Sequence, residues 1–295
     1  MVIVRLIGGL GNQLFQYAAA RNLAIYHDTE LKLDNTLFDT YKLHKYSLDK
    51  FNIQNRFASV DEIENVTRIS IAKKIIRKIF PFIEQTNKLK YPVFREDNIG
   101  PFNPSIFDTP KNVYLEGYWQ SEKYFLNTQD IIRQEFSLSV DLSAQSQAIA
   151  EEISNTQAVS IHIRRGDYVL DVNTNERHGT CDLSYYHNCI KDIRKKITSP
   201  HFFVFSDDPD WAIRNLKIDL PVTYVTHNDA LKNHEDLCLM SICDHNIIAN
   251  SSFSWWGAWL NKNLHKNVFA PKAWVLENKI NELTFHLIPN NWTRV

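Results

Sequence analysis

Neither an excess of charge of one sign nor a long apolar run is present in these 295 residues, and each absence removes a class of function. Lys and Arg number 33 against 34 Asp and Glu, a formal net charge of −1, so there is no basic footprint for general nucleic-acid binding. Any anionic ligand must therefore be met by a local cluster of positive groups. No apolar stretch approaches the roughly 18 residues of a membrane span. Met1 runs straight into Val2-Ile3-Val4-Arg5-Leu6-Ile7, without a basic leader or a small-residue cleavage site, so no signal peptide is expected. The four cysteines, Cys181, Cys189, Cys238 and Cys243, show no CxxC spacing. That argues against zinc and against a disulfide framework, and predicts buried thiols in a reducing, cytoplasmic setting. No internal repeat or low-complexity run is visible.

What is present is alternation of strand and helix. Val2–Ile7 reads as a strand, Gly8-Gly9-Leu10-Gly11-Asn12-Gln13 as a turn, and Leu14 to about Ala24 as a helix with a broad apolar face. Strands are expected near 29–34 and 112–117, and a helix over 143–153 closing a first lobe. The second half alternates more cleanly: strands at 158–164, 201–206, 222–225, 246–249 and 268–270, with helices at 184–196, after Asp208-Pro209, at 235–243 and after Ser251-Ser252. Such alternation implies parallel sheets covered by helices. The length suits two α/β lobes of about 150 residues each, 1–153 and 154–295.

In His162-Ile163-Arg164-Arg165-Gly166-Asp167-Tyr168, the apolar Val159, Ile161 and Ile163 point to one face of the strand, and Ser160, His162 and Arg164 to the other. Both arginines thus emerge near the strand's carboxyl end, where open α/β sheets bind ligands. Two guanidiniums can grip a pyrophosphate without a metal; the plainer alternative is a solvated strand end. The turn containing Gly9, Gly11 and Asn12 suits close approach of backbone N–H groups to an anion. Read as GxGxxG it fails at Leu14, although Asp34 lies near the ribose-binding distance, so an NAD(P)-dependent oxidoreductase is an alternative.

Ser251-Ser252 before the helix from Phe253 is either an anion site or a plain N-cap. Trp255, Trp256 and Trp259 read as packing rather than sugar platforms. Asp236, in a helix's first turn, suits either a guanine edge or the helix dipole. Asp208-Pro209-Asp210 matches a loose metal-binding Asp-x-Asp pattern but reads as a helix cap with proline at the first position. His178 and Glu176 are candidate proton acceptors. Lys73-Lys74-Ile75-Ile76-Arg77-Lys78 reads as a solvated helix face, with a peripheral contact to an anionic membrane as the alternative.

Taken in order, Gly8–Tyr17, Gly117-Tyr118-Trp119-Gln120-Ser121-Glu122-Lys123-Tyr124-Phe125, His162–Tyr168, His178-Gly179-Thr180-Cys181, Phe205-Ser206-Asp207-Asp208 and Ile247–Trp256 resemble the bacterial α-1,2-fucosyltransferases, glycosyltransferase family 11. The resemblance spans all but about positions 35–110. It implies a GT-B architecture, with two Rossmann-like lobes facing across a cleft, an acceptor-side first lobe and a second lobe holding GDP-fucose. It implies inverting transfer of L-fucose to the 2-hydroxyl of a galactoside or lipid-linked oligosaccharide in surface polysaccharide or O-antigen synthesis, without metal or cofactor. By the same resemblance Arg164 and Arg165 meet the donor diphosphate, Ser251 and Ser252 bind phosphate, Asp236 recognises guanine and Asn12 reaches the donor. His162 and Phe253 join the donor site, and Asp167 and His178 are candidate catalytic groups beside Arg164. Leu14 stands where many members carry methionine, a volume-conserving change. A non-catalytic sugar-nucleotide or glycan-binding module would not need arginines clustered at a strand end.

Overall fold

The computed structural model describes residues 1–63, 92–96, 100–166, 169 and 179–295. Asp167, Tyr168, Glu176, His178 and the Lys73–Lys78 stretch lie outside the described residues. The chain divides into two compact units, 1–49 with 53–135, and 50–52 with 136–295.

In the first unit, β1 (Val2–Arg5), β2 (Leu31–Asp34), β3 (Val93–Arg95) and β4 (Val113–Glu116) form a parallel sheet in the order β2-β1-β4-β3. Helix α1 (Leu10–Tyr26) returns from β1 to β2, and α2 (Gln129–Glu135) closes the unit. The helix starts at Leu10, not Leu14: Gly9 is its N-cap, and Gly11 and Asn12 belong to its first turn. Gly8 sits at φ +77, a left-handed conformation open to glycine, and a Cβ there would lie 2.6 Å from Asn12 Nδ2. Helix α1 is buried on nearly every side, which its apolar residues and Ala18-Ala19-Ala20 permit.

The second unit holds α3 (Ala144–Ser154), β5 (Gln157–Ile163), α4 (Leu183–Ile193), β6 (Pro200–Ser206), α5 (Pro209–Asn215), β7 (Val222–Val225), α6 (Asn233–Ile242), β8 (His245–Ile247), α7 (Ser252–Leu260), β9 (Val268–Ala270), α8 (Asn278–Leu283) and β10 (Thr293–Arg294). Its six-stranded sheet is parallel, in the order β10-β9-β8-β5-β6-β7. Counted from β5, this is the doubly wound 3-2-1-4-5-6 order, whose direction reverses between β5 and β8. Helix α3 was expected to close the first lobe; it belongs to the second unit. Its N-cap Ser143 donates through both N and Oγ to Glu235 of α6, at 3.1 and 2.6 Å, a pairing that no local pattern announces.

The second core joins Val159, Ile161 and Ile163 to Tyr185, Tyr186, Cys189, Ile190 and Ile193 of α4 and to Phe202 and Val204 of β6. The apolar alternation read along β5 is thus its packing face. Trp255 and Trp256 are fully buried and Trp259 nearly so, as packing residues. All four cysteines are free; Cys189 and Cys243 are buried, whereas Cys181 and Cys238 are only half-buried.

Candidate active site

The carboxyl ends of β5 and β8 flank the point where the second sheet reverses direction, and a crevice opens there in sheets of this order. Ile161 pairs with Ile247, so Arg164–Arg165 and Asn250–Ser252 leave neighbouring strands at the same level. The two loops meet: the His162 and Phe253 rings lie 5.4 Å apart. His162 is 4% exposed, and burial, with the Arg164 charge adding to it, pushes its pKa down to about 3, so the imidazole is neutral at working pH. Its Nδ1 has no partner among the described residues. Tyr186 Oη donates to the His162 carbonyl at 3.2 Å and anchors the strand end on α4.

Arg164 Nη1 meets Asp207 Oδ2 at 2.9 Å, and Arg165 N donates to Asp207 Oδ1 at 2.7 Å. One carboxylate from the end of β6 therefore fixes both the guanidinium and the backbone that follows it. Gly166 makes this possible, since a Cβ there would lie 2.6 Å from Asp207 Oδ2. A guanidinium presents its N–H donors in a fixed planar fork, so engagement by Asp207 orients Arg164 at the strand junction.

Arg165 is placed otherwise. Its Nε meets Asp208 Oδ2 at 3.2 Å and its guanidinium stacks on Trp211, 3.9 Å from the ring centroid. Asp208 also caps α5 by accepting from Trp211 N at 3.1 Å, with Pro209 at the first helical position, as its sequence implied. Arg165 is thereby tied to the start of α5, whereas Arg164 lies at the strand junction.

Ser251 caps α7 by accepting from Phe253 N at 3.3 Å, and Ser252 opens the helix. Helices α6 and α7 both start at the carboxyl edge and pack closely: a Cβ on Gly257 would come within 2.9 Å of Met240 Cβ. Asp236 and Ser252 thus occupy first turns of neighbouring helices at one edge of the sheet. Asp236 Oδ1 accepts from Asn228 Nδ2 at 2.7 Å, and Asn228 Oδ1 is buried without a partner among the described residues. Burial raises the Asp236 carboxyl to about 6, the Asn228 hydrogen bond pulls it down, and the Glu235 charge pushes it up. Ser146 Oγ, 2.9 Å from His227 Nε2, completes the surrounding network.

Sequence reading named Arg164, His162, Ser251, Ser252, Phe253 and Asp236, which the second unit gathers at one edge. Gly9, Gly11 and Asn12 lie in the first unit. It gave no role to Asp207, Asn228, Ser146 or Trp211. The Ser206-Asp207-Asp208 run after a strand carried a signal for the first; nothing local marks Asn228, whose partner is set by how α6 packs. Asp34 is withdrawn from any ribose: Tyr114 Oη donates to it at 2.5 Å and Thr36 N and Oγ1 at 3.0 and 2.7 Å, all inside the first unit.

Two parallel α/β units, the second doubly wound, are of the GT-B fold class. The chain belongs to glycosyl transferase family 11, whose model matches residues 1–282. It is 34% identical over 304 residues to an α-1,2-colitosyltransferase of Escherichia coli, covering 100% of this chain and 99% of that protein. It is 33% identical over 302 residues to the O-antigen biosynthesis glycosyltransferase WbnK of Escherichia coli, covering 95% and 96%. Among solved structures, a mutant of Arabidopsis thaliana FUT1 in complex with GDP superposes with a TM-score of 0.55 at 12% identity, over 94% of this chain and 72% of that one. The NAD(P) oxidoreductase alternative falls with the family match and with the internal engagement of Asp34. Among the described residues, no helix is long and apolar enough to cross a membrane, and no three His, Cys, Asp or Glu side chains cluster as metal ligands.

Proposed function

We propose that this chain transfers L-fucose from GDP-β-L-fucose, with inversion, to the 2-hydroxyl of a galactose-type acceptor in surface polysaccharide or O-antigen synthesis. The observation that carries the proposal is Arg164, oriented by Asp207 at the junction of β5 and β8 beside the N-terminus of α7. As the glycosidic bond breaks, negative charge grows on the leaving β-phosphate. Preorganised donors aimed there supply the largest catalytic share. Arg164 takes that role, assisted by the Ser251–Ser252 helix start, and Arg165 holds the loop's frame. The acceptor hydroxyl must lose a proton, for which Asp167, His178 and Glu176 are the candidates. Arginine stays charged at every working pH, so turnover is expected to persist in EDTA; complete loss restored by Mn²⁺ would revive Asp208 and Asp210 as a metal pair.

A second donor is favoured by the full-length relationship to a colitosyltransferase: GDP-colitose, whose sugar is fucose without the 3-hydroxyl. The two readings differ in selectivity. A site that hydrogen-bonds the 3-hydroxyl rejects the deoxy sugar by about 10⁴–10⁵, whereas an apolar site rejects the added hydroxyl by only about 10². GDP release measured with each donor, with and without lactose, decides. Preference for GDP-fucose is expected; a tenfold preference for GDP-colitose moves the function to the second reading, and no release from either rejects both.

Asp236 is assigned to the guanine edge, where an ionised carboxylate accepts two N–H bonds. With its pKa near 6, protonation below that pH removes the charge and one acceptor. The donor KM should therefore rise about tenfold between pH 6.5 and 5, and Asp236→Asn should raise KM about tenfold or more and flatten the dependence. The stability sign is opposite to the usual carboxylate: the folded pKa lies above the unfolded value of 3.8, so ionising Asp236 costs stability as pH rises from about 4 to 6. A flat wild-type KM over this range removes Asp236 from base recognition.

A further inference from the structure

Two glutamines of α1, Gln13 and Gln16, are 0% exposed, and what they hold together points to a second ligand site, in the first unit. Gln13 Nε2 donates to the carbonyls of Gly8 at 2.9 Å and Lys45 at 2.8 Å, while its Oε1 accepts from Ser47 N at 2.9 Å. Gln16 Oε1 accepts from Ile7 N at 3.0 Å, and its Nε2 donates to the Gly117 carbonyl at 3.2 Å. The amides stitch three segments to one helix face: the 7–9 turn, the 45–47 segment and the start of the 117–120 turn. Buried amides, once satisfied, specify one arrangement of what surrounds them.

The arrangement they specify is a convergence of polar side chains on the Gly8–Gly9 turn, at the carboxyl ends of β1 and β4. A Cβ on Gly9 would sit 3.4 Å from His44 Cε1 and 3.5 Å from its Nδ1, so the imidazole lies against the bare backbone. Asn12 reaches the same turn, beside Gly8, and Gln120 Nε2 donates to Asn12 Oδ1 at 2.8 Å. A separate feature fixes Gln120. The preceding Trp119 is fully buried at φ 57, a left-handed conformation rare for a bulky side chain. It is held there by Glu96, whose Oε2 accepts from Tyr118 N at 2.7 Å and Trp119 N at 2.8 Å. Burial raises the Glu96 pKa, while the backbone N–H bonds from Trp119 and Tyr118 pull it back down. Maintained backbone strain of this kind concentrates at ligand sites.

We infer that His44, Asn12 and Gln120 form a sugar-binding subsite on the first unit that takes hydroxyls of the acceptor hexopyranose. The chemistry selects the ligand class. Two amides and an imidazole offer donors and acceptors side by side without a fixed charge, which matches hydroxyls, each both donor and acceptor. The donor diphosphate is matched by the cationic groups gathered around Arg164. The Gly8–Gly9 turn is bare of side chains, which lets His44 and Asn12 pack against its backbone. This subsite rests on the transferase reading above for its role as acceptor site.

The test uses the full chain with a GDP-sugar donor and methyl β-galactoside. His44→Gln and Gln120→Glu are each expected to raise acceptor KM at least tenfold, leaving donor KM within twofold and the melting temperature close to wild type. Acceptor KM within twofold of wild type in both variants overturns the subsite, and so does a rise in donor KM instead. In parallel, methyl β-galactoside should shift the His44 Cε1–H resonance of the wild type by NMR. A wild type that releases no GDP yet shows this shift sinks the transferase reading and keeps the subsite. A wild type that turns over without the shift sinks the subsite alone.

Discussion

Arg164→Ala should lower kcat at least a hundredfold while leaving the melting temperature within a few degrees of wild type. Two effects compete at this residue, and their sizes decide. Its ion pair with Asp207 is partly open to solvent, each side chain being 24% exposed, and such pairs contribute up to about 1 kcal/mol to folding. A preorganised donor at the developing charge contributes roughly 10²–10³ in rate, about 2.7–4 kcal/mol. Loss of the side chain is therefore a catalytic lesion before it is a structural one. Arg164→Lys keeps the charge but loses the fork that engages Asp207 and phosphate together, so it should recover only part of the loss. Single-turnover measurement at saturating donor and acceptor isolates the chemical step. A loss of only about threefold in Arg164→Ala would refute the assignment.

Trp255→Ala should be the most destabilising of the changes considered. The side chain is fully buried, packs on Trp256, Trp259 and Trp292, and donates from Nε1 to the Leu287 carbonyl at 2.8 Å. Truncation of a buried tryptophan costs about 3–5 kcal/mol, and here the buried Leu287 carbonyl also loses its donor. For a unit of this size that corresponds to a drop of roughly 6–20 °C in melting temperature. Trp255→Phe, which keeps an aromatic ring and loses the N–H, should lie between the two. A melting temperature for Trp255→Ala within about 3 °C of wild type would show that the ring is not a core element. Calorimetry of both variants makes the comparison.

Much of the second unit was legible because its signals are local. Asp208 followed by Pro209 caps a helix wherever the chain goes next, and the apolar period along Val159, Ile161 and Ile163 names the packing face of β5 before any partner is known. Ser251 likewise opens α7 by a bond to a residue two places on. The start of α1 was misplaced by one turn because Gly11 and Asn12 favour turns by propensity, while burial of the helix on nearly all sides overrides it. Helix α3 groups with the second unit, where its N-cap Ser143 is held by Glu235, far along the chain.

By itself the sequence determined the parallel α/β class, the family and the cluster His162–Arg164–Arg165 at a strand's carboxyl end. Only the tertiary structure decided that Arg164 and Arg165 have different partners, that α7 begins beside His162, and that two buried glutamines gather His44, Asn12 and Gln120 around a glycine turn. The physical reason is that periodicity and capping report bonds closed within a few residues. Strand order, which sets loops distant in sequence side by side, is fixed by how whole elements bury their faces against one another.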